Sequence, residues 1–63
     1  MKIKRNDKFI CISTVIMDDG EIAYIEGKTY TSHFDECITD EANYRYHYWD
    51  DTCEVEKYFK KKN

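Results

Sequence analysis

The sequence predicts a very small all-β domain: five short strands curled into a mini-barrel, followed by a short C-terminal helical turn. Three observations carry that expectation. The chain's two glycines, Gly20 and Gly27, each sit in a charged turn (Asp18-Asp19-Gly20-Glu21 and Glu26-Gly27-Lys28) between β-prone runs. No proline interrupts the chain. Six tyrosines, three phenylalanines and one tryptophan supply large rings that suit pleated surfaces.

The first strand covers residues 9–17 (Phe-Ile-Cys-Ile-Ser-Thr-Val-Ile-Met), a β-branched run too short for a typical helix. Phe9, Cys11 and Val15 fall on one face and Ile10, Ile12 and Ile16 on the other. Apolar groups on both faces suit a strand curling through the middle of a barrel. After the Gly20 turn, residues 22–25 form a short extended piece, and the Gly27 turn leads into 29–34. There Tyr30, Ser32 and Phe34 alternate with Thr29, Thr31 and His33. Asp35-Glu36 forms a hairpin tip without glycine, residues 37–39 a fourth strand, and Asp40-Glu41-Ala42-Asn43 the next turn. Glycine would ease that turn at position 42; Asn43 can take the left-handed conformation instead.

The fifth strand, residues 44–49, reads Tyr-Arg-Tyr-His-Tyr-Trp. Tyr44, Tyr46 and Tyr48 share one face and Arg45, His47 and Trp49 the other, and either face could be inward. Asp51-Thr52-Cys53-Glu54 resembles a capping box. Val55, Tyr58 and Phe59 then recur at helical spacing, with Lys60, Lys61 and Lys62 suited to a helix C-terminus. A helix of one to two turns is expected there, folded over an open end of the sheet.

At 63 residues the chain forms a single domain. Such a chain buries only about 60% of the surface its unfolded form exposes, so its core is small. Net charge is −3, from 13 acidic and 10 basic residues. Lys2, Lys4, Arg5 and Lys8 make one end basic and the terminal lysines the other. The body between is acidic, opposed only by Lys28 and Arg45 from Asp18 to Glu56. A phosphate backbone is repelled by such a body, which disfavours general nucleic-acid binding. No secretory signal is evident, and no run approaches the roughly 20 apolar residues of a membrane span. Three cysteines (Cys11, Cys37, Cys53) are then expected as free thiols in a reducing cytoplasm.

Taken together, the runs Lys8-Phe9-Ile10-Cys11-Ile12, Met17-Asp18-Asp19-Gly20-Glu21 and 23–30 (Ala-Tyr-Ile-Glu-Gly-Lys-Thr-Tyr) resemble those of small phage- and prophage-encoded proteins. The turn at Asp40-Glu41-Ala42-Asn43, the His47-Tyr48-Trp49 strand and the acidic-aromatic tail from Glu54 to Phe59 continue the likeness along nearly the whole chain. The resemblance implies an SH3-like barrel of five strands. It implies no particular activity, since such proteins mostly have none assigned.

No residue pattern points to catalysis or to a cofactor. Cys11, Cys37, Cys53, His33 and His47 lack the paired close spacing of a structural zinc site, although His33, Asp35 and Cys37 surround one hairpin tip. The acidic neighbours of Cys37 and Cys53 oppose thiolate formation. The carboxylate pairs Asp18-Asp19, Asp35-Glu36, Asp40-Glu41 and Asp50-Asp51 all lie in turns, where solvated acids are ordinary, and calcium-loop spacing is missing. Acidic turns gathered on one side would also imitate a phosphate backbone.

Tyr, Trp and Arg are enriched at protein–protein hot spots. The candidate partner-binding residues are therefore Arg45, Tyr46, His47, Tyr48 and Trp49, with Asp50 and Asp51 beside them. The expected function is that of a non-enzymatic phage or prophage accessory protein that binds and modulates a host protein. Size and the resemblance favour an anti-defence or host-takeover inhibitor. The alternative is a small nucleic-acid- or nucleotide-binding barrel that stacks bases on the 44–49 strand and clamps phosphates with its basic ends. Edge strands of an open barrel would also support a homodimer.

Overall fold

The computed structural model describes residues 2–49 and 54–62. Seven short strands run β1 Lys8–Cys11, β2 Val15–Ile16, β3 Ile22–Tyr24, β4 Thr29–Thr31, β5 Cys37–Thr39, β6 Tyr46–Tyr48 and β7 Phe59–Lys62. They form three small antiparallel sheets: β4-β1-β7, the β2-β3 hairpin and the β5-β6 hairpin. The domain is mainly β, as expected. Among the described residues the ladders do not close into a barrel, and the strands number seven rather than five. No helix among the described residues is long and apolar enough to cross a membrane.

β1 is the central strand of the largest sheet, and its backbone alternates between two neighbours. The Cys11 N–H donates to the Lys28 carbonyl (2.9 Å), and the Ser32 N–H to the Asp7 carbonyl (2.9 Å). On its other side the Ile12 N–H donates to the Tyr58 carbonyl (2.8 Å). Residues 7, 9 and 11 therefore bond β4, and residues 8, 10 and 12 bond the C-terminal strand.

The expected long strand over 9–17 breaks in two. Beyond Cys11 the chain bends at Ile12-Ser13, held by the Cys11 thiol on the Ser13 carbonyl (3.1 Å) and by the Thr14 hydroxyl, which accepts from the Glu26 N–H (3.0 Å). Phe9 and Cys11 are buried, but Ile12 and Ile16 face solvent at 46% and 63% exposure. The second apolar face is thus a surface rather than a barrel interior. Likewise Phe34 leaves the buried alternation of Tyr30 and Ser32 and is exposed, because the chain turns there toward its isolated bridge with Cys37.

The C-terminal expectation also changes. Glu54 lies in the left-handed region (φ 50°) with no side-chain capping bond, and the only helical element among the described residues is a 3-10 turn at Val55–Lys57. The rest of the proposed capping box, Asp51 to Cys53, lies outside the described residues. Phe59 then begins β7, which pairs Lys60 with Ile10 and Lys62 with Lys8. A helix of five or six residues is marginal in water. Pairing along the open side of β1 satisfies the same backbone groups and still buries Val55 and Phe59.

The core consists of Ile3, Phe9, Cys11, Ala23, Tyr24, Tyr30, Ile38, Val55 and Phe59. Tyr24 is its hub, with edge-on ring contacts to Phe59 (4.9 Å), Tyr30 (5.0 Å), His47 (5.7 Å) and Trp49 (6.0 Å). Such pairs contribute about 0.5–1.5 kcal/mol each beyond area burial. The turns behave as their residues suggest. Gly27 has φ +89° with open space where a Cβ would stand, so the need for glycine there is a backbone need. Asn43 supplies a left-handed position itself (φ 63°).

The ladder register distinguishes a strand from a helix at the C-terminus. Lys60→Pro removes an N–H directed at β1 and should cost about 1–3 kcal/mol. Lys61→Pro removes one directed away and should cost less in the same urea titration, since its exposed ion pair with Asp7 contributes under about 1 kcal/mol.

Candidate functional site

The turn before β6 is organised by Asp40, whose side chain is fully buried. Its N–H donates to the Arg45 carbonyl (3.0 Å), and its own carbonyl accepts from the Asn43 N–H (3.0 Å). One carboxylate oxygen accepts from the Ala42 N–H (3.1 Å), an Asx turn that positions the group within its own loop. The other accepts from Arg45 Nε (3.0 Å) and lies 3.3 Å from His47 Nε2. Burial pulls the Asp40 carboxyl upward, but hydrogen bonds from His47 and Arg45 outweigh it and hold the group below the usual carboxylate range. Arg45 also binds Glu21 through its terminal nitrogen, and its guanidinium lies 5.3 Å from the Tyr44 ring centre.

Two residues beyond His47, Trp49 continues the inward face. It is half-buried against the core, with its indole N–H 3.4 Å from the Tyr24 hydroxyl. That hydroxyl donates to the Ile38 carbonyl (2.6 Å), and burial drives its pKa far up. Arg45, His47 and Trp49 are therefore the inner set, committed to Asp40 and Tyr24.

The tyrosines must then face out. Tyr44, Tyr46 and Tyr48 are 65%, 51% and 60% exposed, and Phe34 joins them at 53%. Phe34 packs edge-on against Tyr46 (5.1 Å), with His33 on the same ring at 6.0 Å. His33 is itself bonded to the Thr39 hydroxyl. The Tyr48 hydroxyl donates to Glu36. The adjoining turn is tied to the N-terminal segment: Arg5 N–H donates to Asp35 (2.9 Å) and Glu36 N–H to the Ile3 carbonyl (2.9 Å). The result is an aromatic face with two carboxylates at its rim.

Of the residues singled out from sequence, Tyr46 and Tyr48 lie on this face. Arg45, His47 and Trp49 lie beneath it, and Asp50 and Asp51 fall outside the described residues. Phe34 also belongs to this face: the period-2 alternation sets it on one side with Tyr30 and Ser32, which are buried, and the turn toward Cys37 exposes it instead. Tyr44, which is not among those candidates, shares the parity of Tyr46 and Tyr48 and completes the set.

A second polar cluster lies nearby. Tyr30, buried, accepts the Ile25 N–H on its hydroxyl (2.7 Å) and donates to Glu41, which also pairs with Lys28 (2.8 Å). Burial and then the Glu41 bond push Tyr30 up to about 12. Among the described residues no three His, Cys, Asp or Glu side chains converge to hold a metal ion. The Cys11 thiol is buried and its pKa raised chiefly by that burial, which makes it a poor nucleophile; Cys37 is a half-buried free thiol.

The titrations have definite signs. Asp40 is depressed in the fold, so its contribution is present above the unfolded value of about 3.9 and is lost as pH falls through the lower folded value. Asp40→Asn should flatten the acid limb of stability below about pH 4, and Asp40→Ala should cost about 2–3 kcal/mol, softened because Arg45 can rehydrate. Tyr30 is raised, so its contribution is present below about pH 10 and is lost as pH rises toward about 12. Unfolding followed by tyrosinate absorbance should show that alkaline loss in the wild-type chain and a shallower one in Tyr30→Phe.

Comparison with protein-family models, curated proteins and solved structures finds no match to this chain, so the candidate site rests on its geometry.

Proposed function

We propose that this chain is a non-enzymatic binding module of phage or prophage origin, and that it docks its tyrosine face on a host protein and modulates it. The observation that carries this reading is the outward set of Tyr44, Tyr46 and Tyr48 on a hairpin whose inner side is fixed by a buried carboxylate, with Phe34 of the preceding segment packed against Tyr46. Large exposed rings on a braced support are what protein–protein hot spots use, because they add contact area with little side-chain entropy to lose. Asp35 and Glu36 at the rim, within a chain of net charge −3, suit a partner surface that is basic around an apolar centre.

We read the architecture as SH3-like. Supporting this are a first strand paired to both the strand after the Gly27 turn and the last strand, a tight β5-β6 hairpin, and a 3-10 turn immediately before the last strand. In this reading the hairpin is a scaffold element that displays the tyrosines. Anti-defence or host-takeover inhibition is the activity that a small, acidic, accessory binder of this kind would carry.

The double variant Tyr46→Thr, Tyr48→Thr keeps β propensity and removes the rings. The variant gives up the edge-on contacts of Tyr46 with Phe34 and His33 and the Tyr48 bond to Glu36, so it should lose about 1–2 kcal/mol of stability and stay folded. Affinity capture from nuclease-treated host lysate should retain a protein on the wild-type chain and lose it on the variant, with affinity falling about 30-fold or more. Equal retention by the variant would remove the tyrosine face from the account. Loss of all retained material on nuclease treatment would point to nucleic acid instead.

A further inference from the structure

The outer face of the β4-β1-β7 sheet carries a charge arrangement that works against the fold. Phe9 and Cys11 point into the core, so Lys8 and Ile10 point the other way. The ladders fix their neighbours: Thr31, Lys8 and Lys62 form one cross-strand row, and Thr29, Ile10 and Lys60 the next. The Ile12 bond to Tyr58 sets the phase, so Lys8 and Lys62 are a hydrogen-bonded pair, with Cα atoms about 5.5 Å apart. Lys60 stands about 7 Å from Lys62, two residues along β7. Like charges directly opposite each other destabilise an antiparallel pair. Neither row holds a carboxylate, and none of its three lysines makes an ion pair among the described residues. Lys8 reaches only the Thr31 hydroxyl (3.3 Å), and Asp7, the adjoining acid, is held by Lys61 (3.1 Å).

The acidic hairpins form the layer beneath the opposite face. β2-β3 and β5-β6, whose turns bear Asp18, Asp19, Glu21, Asp40 and Glu41, rest through Tyr24 and Trp49 on Phe59, which points inward from β7. The domain's smallest extent is 20 Å. The Debye length at physiological salt is about 8 Å, so those acids do not cancel the positive field over the lysines.

The face selects among anions. Single-stranded nucleic acid is held by rings that stack its bases, and the two rows contain none. Anionic bilayers are bound by clusters of about four to eight basic residues; these rows offer Lys8, Lys60 and Lys62, with Ile10 half-buried among them. An extended acidic segment fits better, because its same-face side chains repeat about every 7 Å, the spacing of Lys60 and Lys62. We propose that this face docks an extended acidic segment of a partner protein, with alternate carboxylates meeting Lys60 and Lys62. The carboxylate at Lys62 is shared with Lys8 and relieves their repulsion. The site has no residue in common with the tyrosine face and does not depend on that reading.

The probe is an end-blocked nonapeptide of alternating glutamate and serine, with a glutamine–serine peptide as its uncharged counterpart. Both are titrated into the full chain and followed by backbone amide shifts. The acidic peptide should bind at low salt, weaken as salt rises, and shift Lys8, Ile10, Lys60 and Lys62 while leaving Tyr46 and Tyr48 in place. Lys62→Glu separates binding from stability. It sets an opposite charge against Lys8, so the unfolding midpoint should hold or rise, while affinity falls about tenfold or more. Lys60→Gln should also weaken binding, whereas Lys57→Gln, the same charge change at an exposed lysine outside the sheet, should not. The proposal is overturned if the glutamine peptide binds as well, if Lys62→Glu and Lys60→Gln bind the acidic peptide as tightly as wild type, or if the shifts fall on Tyr46 and Tyr48. Tighter binding of an oligothymidylate or of phosphatidylserine vesicles than of the peptide would overturn it in favour of a phosphate ligand. Shifts at the lysine rows that grow with protein concentration alone would overturn it in favour of a second copy.

Discussion

The buried carboxylate of Asp40 is the constraint on which the presentation of the β5-β6 hairpin depends. A charge removed from water must be paired and hydrogen-bonded, or it costs several kcal/mol. Asp40 meets that demand with Ala42 from its own turn and with Arg45 and His47 from the following strand. Arg45 and His47 are two residues apart, so a single strand parity serves both. Once they point inward, Trp49 follows onto Tyr24, and Tyr44, Tyr46 and Tyr48 face solvent. A slip of one residue would bury tyrosines and strand the carboxylate without its partners.

The aromatic hub gives this hairpin something firm to rest on. Tyr24 joins three parts of the chain: it packs on Phe59 of β7, on Tyr30 of β4 and on Trp49 beyond β6. Its hydroxyl links Ile38 of β5 to the Trp49 indole. A domain this small has few core residues, and concentrating contact in large rings offsets that shortage. For the proposed docking role, the consequence is a preorganised surface. Exposed rings held on a braced hairpin lose little freedom on binding, which favours affinity from a small contact area.

Much of the fold was legible because its determinants are local. Gly20, Gly27 and Asn43 adopt positive φ where the turn chemistry placed them, and the strands flanking those turns are β in the structure. What was not legible depends on distant partners. Ile3 is buried because the N-terminal segment bonds to the Glu36 turn, which a basic, polar N-terminus does not announce. The last residues read as a helix because Val55, Tyr58 and Phe59 have helical spacing, whereas the open side of β1 that recruits them as a strand has no local signature. The inward face of residues 44–49 stayed undecided for a similar reason. Both faces are aromatic, and only the burial of Asp40, nominally one more acid in an acidic turn, separates them.

The most direct test of this account is photochemically induced dynamic nuclear polarisation of the aromatic side chains in the intact chain, which reports ring accessibility residue by residue. Tyr44, Tyr46 and Tyr48 should give strong signals, Trp49 a weak one, and Tyr24 and Tyr30 none. Strong polarisation at Trp49 with silent Tyr46 and Tyr48 would invert the strand, and with it the role assigned to Asp40 and the surface assigned to binding.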